Sequence, residues 1–159
     1  MPVRGFTLVE IMVVVTIISF LAMLAVPTIR RLQVWARAST TANNLRVFET
    51  AFQTYATEKG GFPPAADPGD LPTEMAGRIK ATDWASASPL GGHYAWESNQ
   101  VFGGQRCKAA ISINTSGDSV LTSDADQLLM LDRMIDNGDL NTGNLIFAGS
   151  GSLVWIVEH

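Results

Sequence analysis

The sequence predicts an α+β protein in which a long N-terminal helix, membrane-spanning in its first half, packs on a small antiparallel β-sheet head. Three observations support this fold class. An apolar segment with a single charge runs from Phe6 to Ile29, and apolar residues then recur every three or four positions up to Tyr55. After Gly60, short segments rich in β-forming residues lie between turn residues. The length of 159 residues suits one domain with an added segment.

The apolar segment is long enough to cross a lipid bilayer. Its 24 residues reach roughly 36 Å as a helix, against a hydrocarbon core of about 30 Å. A cleaved signal peptide would have a shorter apolar core followed by an A-x-A site, so we expect the segment to stay with the protein. Three arginines follow it, namely Arg30, Arg31 and Arg37, although basic residues prefer the cytoplasmic side. They either touch lipid phosphate or form a solvated helix face.

The stretch RGFTLVE, with Pro27 later in the segment, resembles the processing site of type IV pilin-like precursors, which include type IV pilins and type II secretion pseudopilins. The resemblance implies that residues 1–5 are a leader, that a prepilin peptidase cuts between Gly5 and Phe6, and that Phe6 is then N-methylated. Glu10 corresponds to the glutamate of the family. The implied protein is pilin-like in fold and crosses the bacterial inner membrane once. Its N-terminus is cytoplasmic before processing, and its head is periplasmic, or extracellular in the fibre.

A carboxylate inside an apolar helix requires a partner. Cleavage at Gly5 would create an α-ammonium at Phe6, which points along the helix axis and away from Glu10 of the same chain. A neighbouring copy displaced along the axis could place its ammonium beside Glu10, and the pair would be strong in a low-dielectric helix bundle. Glu10 is therefore predicted to set the register of assembly. The alternative is that it lies at the headgroup boundary and extends toward water.

Pro27 lacks an amide donor and clashes with the carbonyl of Met23, so a bend is predicted there. It acts either as a flexible point for assembly or as a helix break at the membrane boundary. The predicted organisation is a leader at 1–5, a transmembrane and assembly helix at 6–29, an amphipathic continuation at 30–59 and a head at 60–159. The apolar face of the continuation is expected to bury against the head: Trp35, Ala38, Ala42, Leu45, Phe48, Phe52 and Tyr55.

Within the head, periodicity and turn residues predict five elements. They are a short helix over Asp70–Lys80, strands over Gly91–Glu97 and Lys108–Asn114, a helix from Ser123 or Asp124 to Asp136, and a C-terminal hairpin over Asn144–Glu158. Trp84, Trp96 and Trp155 are expected in the core rather than stacked on sugars or bases. The single cysteine, Cys107, excludes an internal disulfide. It is either buried or a point of dimerisation, and its apolar neighbours favour burial.

Oxygen-bearing side chains cluster near the C-terminus at Asp132, Asp136, Asp139 and Asn141. Calcium takes 6–8 oxygen ligands, and the family resemblance implies a calcium site in C-terminal loops of major pseudopilins. The spacing is not that of an EF-hand, however. The alternative is a helix C-cap at Asn137-Gly138 followed by an Asx turn. No cofactor is expected, unless this cluster binds calcium.

These features predict a structural subunit of a type IV pilus or a type II secretion pseudopilus-like fibre. The implied partners are further copies and other pilin-like subunits, the prepilin peptidase and methyltransferase, the inner-membrane assembly platform and the lipid bilayer. The net charge of −4 gives no general attraction to nucleic acid. No catalytic constellation is present, so the protein is not expected to be an enzyme. The alternative function is a membrane-anchored periplasmic binding module that does not polymerise.

Overall fold

The structure is a computed structural model that describes residues 5–149 and 151–159. Residues 1–4 of the predicted leader, and Ser150 of the predicted C-terminal hairpin, lie outside the described residues. The helices are α1 (Leu8–Lys59), α2 (Ala81–Ala85) and α3 (Ala125–Ile135), and a 3-10 turn covers Thr73–Met75. The strands are β1 (His93–Phe102), β2 (Gln105–Asn114), β3 (Leu145–Phe147) and β4 (Ser152–Glu158).

The chain divides into two compact units, one ending at Val34 and the other beginning at Trp35. Helix α1 belongs to both units and continues through Pro27 without ending there. A helix break at this position, which was one of the two predicted roles of Pro27, is therefore wrong. The bend between Met23 and Pro27 stays a prediction.

In the second unit, four strands form an antiparallel sheet in the order β1-β2-β4-β3. The predicted sheet and the C-terminal hairpin are confirmed. Strands β1 and β2 are longer than predicted because they form one hairpin, in which Phe102 pairs with Gln105 across Gly103 and Gly104. Both glycines have positive φ angles, which suit a two-residue hairpin turn. Cross-strand pairing thus extends the strands through the polar residues 98–100 and 105–106.

One face of the sheet packs on α1 through aromatic side chains. Phe48 meets Trp84 and Tyr94 edge to face, with ring centroids 5.0 and 5.1 Å apart. The predicted apolar face of α1 is buried at Ala38, Ala42, Leu45, Phe48 and Phe52. Its first member does not follow this pattern, because Trp35 is 54% exposed. The predicted burial of Trp35 is wrong, because α1 is buried against the head only from Ala38 onward.

The helix predicted over Asp70–Lys80 is also wrong. The chain forms only the 3-10 turn there, and α2 begins at Ala81. Gly77 has a φ of +81°, which is outside the helical region and interrupts the backbone. Met75 and Ile79 are nevertheless buried, because tertiary contacts rather than helix periodicity place them.

Helix α3 and the tryptophans agree with the sequence. The Asp124 carboxylate accepts a hydrogen bond from the Asp126 backbone at 3.0 Å and caps α3. Trp84, Trp96 and Trp155 are all buried, so their predicted place in the core is confirmed. Each indole N–H donates a hydrogen bond: Trp84 to the Asp70 carbonyl, Trp96 to the Pro63 carbonyl and Trp155 to Glu49.

A second, smaller apolar cluster lies apart from the main core. Cys107 is buried there with Ile146 and Ile156, and Phe102 packs against them. Burial raises the pKa of the Cys107 thiol, which disfavours the reactive thiolate. Of the two predicted states of this cysteine, burial is the one observed.

Candidate functional site

The described part of the first unit is one helical segment, and no other described part of the chain covers its apolar surface. Every residue from Gly5 to Gln33 is exposed. The segment includes an 18-residue window with a mean hydropathy of 2.6, none of it buried. By length and composition α1 can cross a membrane. Exposed apolar surface of this extent indicates contact with lipid or with other helices.

The few hydroxyl groups of this surface are satisfied within the helix. Thr16 and Ser19 donate hydrogen bonds of 2.8 Å to the carbonyls of Met12 and Val15, one turn earlier. Such bonds remove the cost of placing a hydroxyl among hydrocarbon or against a neighbouring helix. The polar residues of the segment are therefore compatible with either environment.

Glu10 lies in the first turn of α1, and its backbone N–H donates to the Thr7 hydroxyl at 3.3 Å. Thr7 thus caps the helix, a role that the T-x-x-E spacing indicates but that our sequence reasoning missed. The Glu10 carboxylate is exposed and takes part in neither of the two ion pairs found in the described residues. Its position leaves it accessible to a partner from outside this chain.

The second group of candidate residues lies in the loop between α3 and β3. Asp136 accepts hydrogen bonds from the backbone N–H groups of Asn144 and Leu145, at 2.5 and 2.9 Å. One carboxylate oxygen therefore closes the loop. Gly143 is required beside it, because a Cβ at this position would overlap that oxygen and the residue has a φ of +91°.

Asp139 organises the exposed part of the same loop. Its carboxylate accepts hydrogen bonds from the backbone and side chain of Asn141 and from the Thr142 hydroxyl, each at 3.1 Å. These bonds lower the pKa of Asp139. The Asn137 side chain accepts a bond from the Asp139 backbone at 2.8 Å, which is an Asx turn. Sequence alone gave the turn as the alternative to a calcium site.

Asp132 differs from the other acidic residues because it is fully buried. Neither of its carboxylate oxygens has a hydrogen-bond partner among the described residues. Burial is the main cause that raises the pKa of Asp132, and the charge of Asp136 adds to it. The N–H groups of Gly138 and Asp139 are close enough to oppose this shift in part.

Three of the predicted calcium ligands, Asp136, Asp139 and Asn141, thus lie in the loop that follows α3, whereas Asp132 lies in α3 itself. Most oxygens of Asp136 and Asp139 already accept hydrogen bonds from the chain. Within the described ranges, no group of three or more His, Cys, Asp or Glu side chains is arranged to hold a metal ion. Calcium binding stays one of the two alternatives that the sequence offers, and the Asx turn is the one that the described residues form. The residues of the first unit are the stronger candidate for function.

Comparison with known proteins places these features in context. Residues 1–26 match the family described as the prokaryotic N-terminal methylation motif. Over 56 residues the chain is 41% identical to the type IV major pilin protein PilA of Myxococcus xanthus, an alignment that covers 35% of this chain and 26% of that protein. The chain therefore aligns with about a quarter of this relative's length.

The fold is similar to that of the major type IV pilin PilA1 from Clostridium difficile, with a TM-score of 0.53. That alignment covers 79% of this chain and 97% of the other at 14% sequence identity, so the likeness is one of fold. A long helix packed on a four-stranded antiparallel sheet is thus a pilin fold. The chain thus combines a fold similar to that of a pilin with a match to the N-terminal methylation motif over residues 1–26.

Proposed function

We propose that the protein is a subunit of a type IV pilus, held in the inner membrane by the first half of α1 until it enters the fibre. The observation that supports this proposal is the exposed apolar surface from Gly5 to Gln33, within which Glu10 is the single acidic residue. The role is structural rather than catalytic. Burial of this surface in a bundle of identical helices would provide most of the free energy of assembly.

Processing of the leader would create the positive charge with which Glu10 of another copy pairs. Cleavage between Gly5 and Phe6 would expose an α-ammonium, and N-methylation would preserve its positive charge. The Glu10 carboxylate of an adjoining copy would pair with this ammonium, because an unpaired charge in the helix bundle is costly. Pro27 would let α1 adjust as the subunit leaves the bilayer. The partners in this scheme are the peptidase and methyltransferase, the assembly platform and other pilin-like subunits.

The first experiment determines the N-terminus of the protein purified from membranes of its native host. Mass spectrometry should find N-methylated Phe6 as the first residue. An intact leader in the presence of the peptidase would contradict the fibre proposal. It would favour the alternative of an anchored binding module that does not polymerise.

The second experiment compares Glu10→Gln with Glu74→Gln, which removes an exposed carboxylate from the head. Both variants should insert into the membrane. Sheared fibres should be lost from the Glu10 variant alone, or its Phe6 should lack methylation. Wild-type fibre yield and methylation in Glu10→Gln would contradict the register role of this residue. Whether the fibre belongs to a pilus or to a secretion pseudopilus is decided by deleting each assembly ATPase of the host in turn.

A further inference from the structure

Helix α1 begins two residues after the bond that the peptidase would cleave. Gly5, Phe6 and Thr7 are non-helical, and the first helical residue is Leu8. Phe6 is 77% exposed, and a Cβ added at Gly5 would meet nothing within 4 Å. The described part of the chain therefore leaves the bond between Gly5 and Phe6 uncovered.

Thr7 fixes the start of the helix with two hydrogen-bond acceptors. Its hydroxyl accepts from the Glu10 backbone N–H, and its carbonyl accepts from the Ile11 backbone N–H, each at 3.3 Å. If the helix began one residue earlier, the Glu10 N–H would donate to the Phe6 carbonyl, because helical N–H groups bond four residues back. The Thr7 hydroxyl competes for this donor. The cap thus keeps the Phe6 carbonyl out of the helix.

A helical backbone is a poor substrate for a peptidase. Its N–H and C=O groups bond to one another, so the helix must open locally before an enzyme can bind the chain, and cleavage then follows the population of the open form. If α1 began two residues earlier, the Val9 N–H would bond the Gly5 carbonyl, which is the scissile one. The cap at Thr7 opposes this extension.

Resting on the proposed processing, we infer that Thr7 is a positioning residue for leader cleavage, because its N-cap holds the bond between Gly5 and Phe6 in non-helical backbone that a peptidase can bind. The match of residues 1–26 to the N-terminal methylation motif supports processing in this segment independently of the geometry. After cleavage, the cap also leaves the new α-ammonium one residue outside the helix. This position reduces its repulsion from the positive end of the helix dipole.

The test measures cleavage of the full precursor, in detergent, by the purified peptidase of the host. The substitutions separate the capping ability of a side chain from its shape. Thr7→Val keeps the shape and removes the acceptor, whereas Thr7→Ser and Thr7→Asn change the shape and keep an acceptor. Thr40→Val is the matched control, because the exposed Thr40 hydroxyl also bonds the α1 backbone, at the Ala36 carbonyl, but lies inside the helix.

Thr7→Val should raise the KM for cleavage by roughly fivefold and leave kcat unchanged, because fewer precursor molecules present the non-helical end and those that bind react as before. A fivefold change corresponds to about 1 kcal/mol, which is typical of the loss of an N-cap. Thr7→Ser, Thr7→Asn and Thr40→Val should keep the wild-type KM. In detergent micelles, the backbone carbon chemical shifts of Gly5 and Phe6 should move toward helical values in Thr7→Val alone.

Three results would overturn the positioning role while leaving processing intact. One is a wild-type KM in Thr7→Val. Another is a KM that rises equally in Thr7→Asn and Thr7→Val, since the peptidase would then recognise the threonine itself. The third is a raised KM in Thr7→Val with unchanged chemical shifts. A wild-type precursor that the peptidase does not cleave between Gly5 and Phe6 would instead contradict the proposed processing and, with it, the role of Thr7.

Discussion

Phe52 of α1 stacks face to face on Trp96 of β1, with ring centroids 3.7 Å apart and an angle of 4° between the planes. Both rings are fully buried. This contact joins the helix to the sheet at the centre of the head, and stacked aromatic pairs contribute beyond the area that they bury. The helix–sheet interface therefore depends on an aromatic layer more than on aliphatic contacts alone.

Replacing Phe52 with Ala should lower the free energy of unfolding of the head by about 3–5 kcal/mol, because it removes a large buried side chain and leaves a cavity. The measurement is urea unfolding of the full chain in detergent, followed by near-ultraviolet circular dichroism. Val47→Ala, on the exposed side of the same helix, is the control and should change stability by less than about 0.5 kcal/mol. Equal losses from the two variants would contradict the assigned interface.

The loop closed by Asp136 should be sensitive to a side chain at Gly143. Gly143→Ala should destabilise the head more than Gly77→Ala, although both positions have φ angles near the same positive value. The reason is that a Cβ at Gly143 would overlap the Asp136 carboxylate, whereas nothing lies within 4 Å of one at Gly77. Thermal unfolding of the two variants measures the difference. Equal melting temperatures would show that the carboxylate does not hold the loop.

Asp132 should make stability depend on pH. Its pKa in the folded protein is raised, chiefly by burial and further by the charge of Asp136. The folded state therefore binds the proton more tightly than the unfolded state, and the associated stability is lost as pH rises through the folded pKa. At neutral pH, Asp132→Asn should be more stable than the wild type by about 1 kcal/mol, because it removes a buried charge without a partner.

The gain in the free energy of unfolding from Asp132→Asn should shrink at acidic pH, where the wild-type Asp132 carboxyl group is protonated. Urea unfolding across a pH series measures it, with Asp118→Asn as the control, since Asp118 is exposed. A destabilised Asp132→Asn at neutral pH would indicate that the carboxylate has a partner, such as a cation.

Calcium addition tests whether the loop between α3 and β3 binds a metal ion. Because Asp136 and Asp139 already accept hydrogen bonds from the chain, we expect calorimetry to detect no heat on calcium addition and no shift in melting temperature. Heat that disappears in Asp132→Asn and persists in Asp118→Asn would contradict this expectation and establish the predicted calcium site.

The sequence predicted the secondary structure best where periodicity and burial agree. The apolar face from Ala38 to Phe52 and the cap at Asp124 follow from local spacing alone. The helix expected over Asp70–Lys80 failed because Gly77 adopts a positive φ, whereas Met75 and Ile79 are buried by contacts that spacing does not reveal. The acidic loop was recognised, but its hydrogen bonds connect residues up to nine positions apart and could not be predicted from composition.

By itself the sequence determined the apolar segment, the motif around Gly5 and Phe6, the isolated charge of Glu10 and the α+β class. These properties depend on the order of neighbouring residues and on local periodicity. Only the tertiary structure decided that Trp35 stays exposed, that β1 and β2 pair as one long hairpin, and that Asp132 is buried without a partner. Each of these results depends on which distant residues cover a side chain, and burial is a property of the folded chain as a whole.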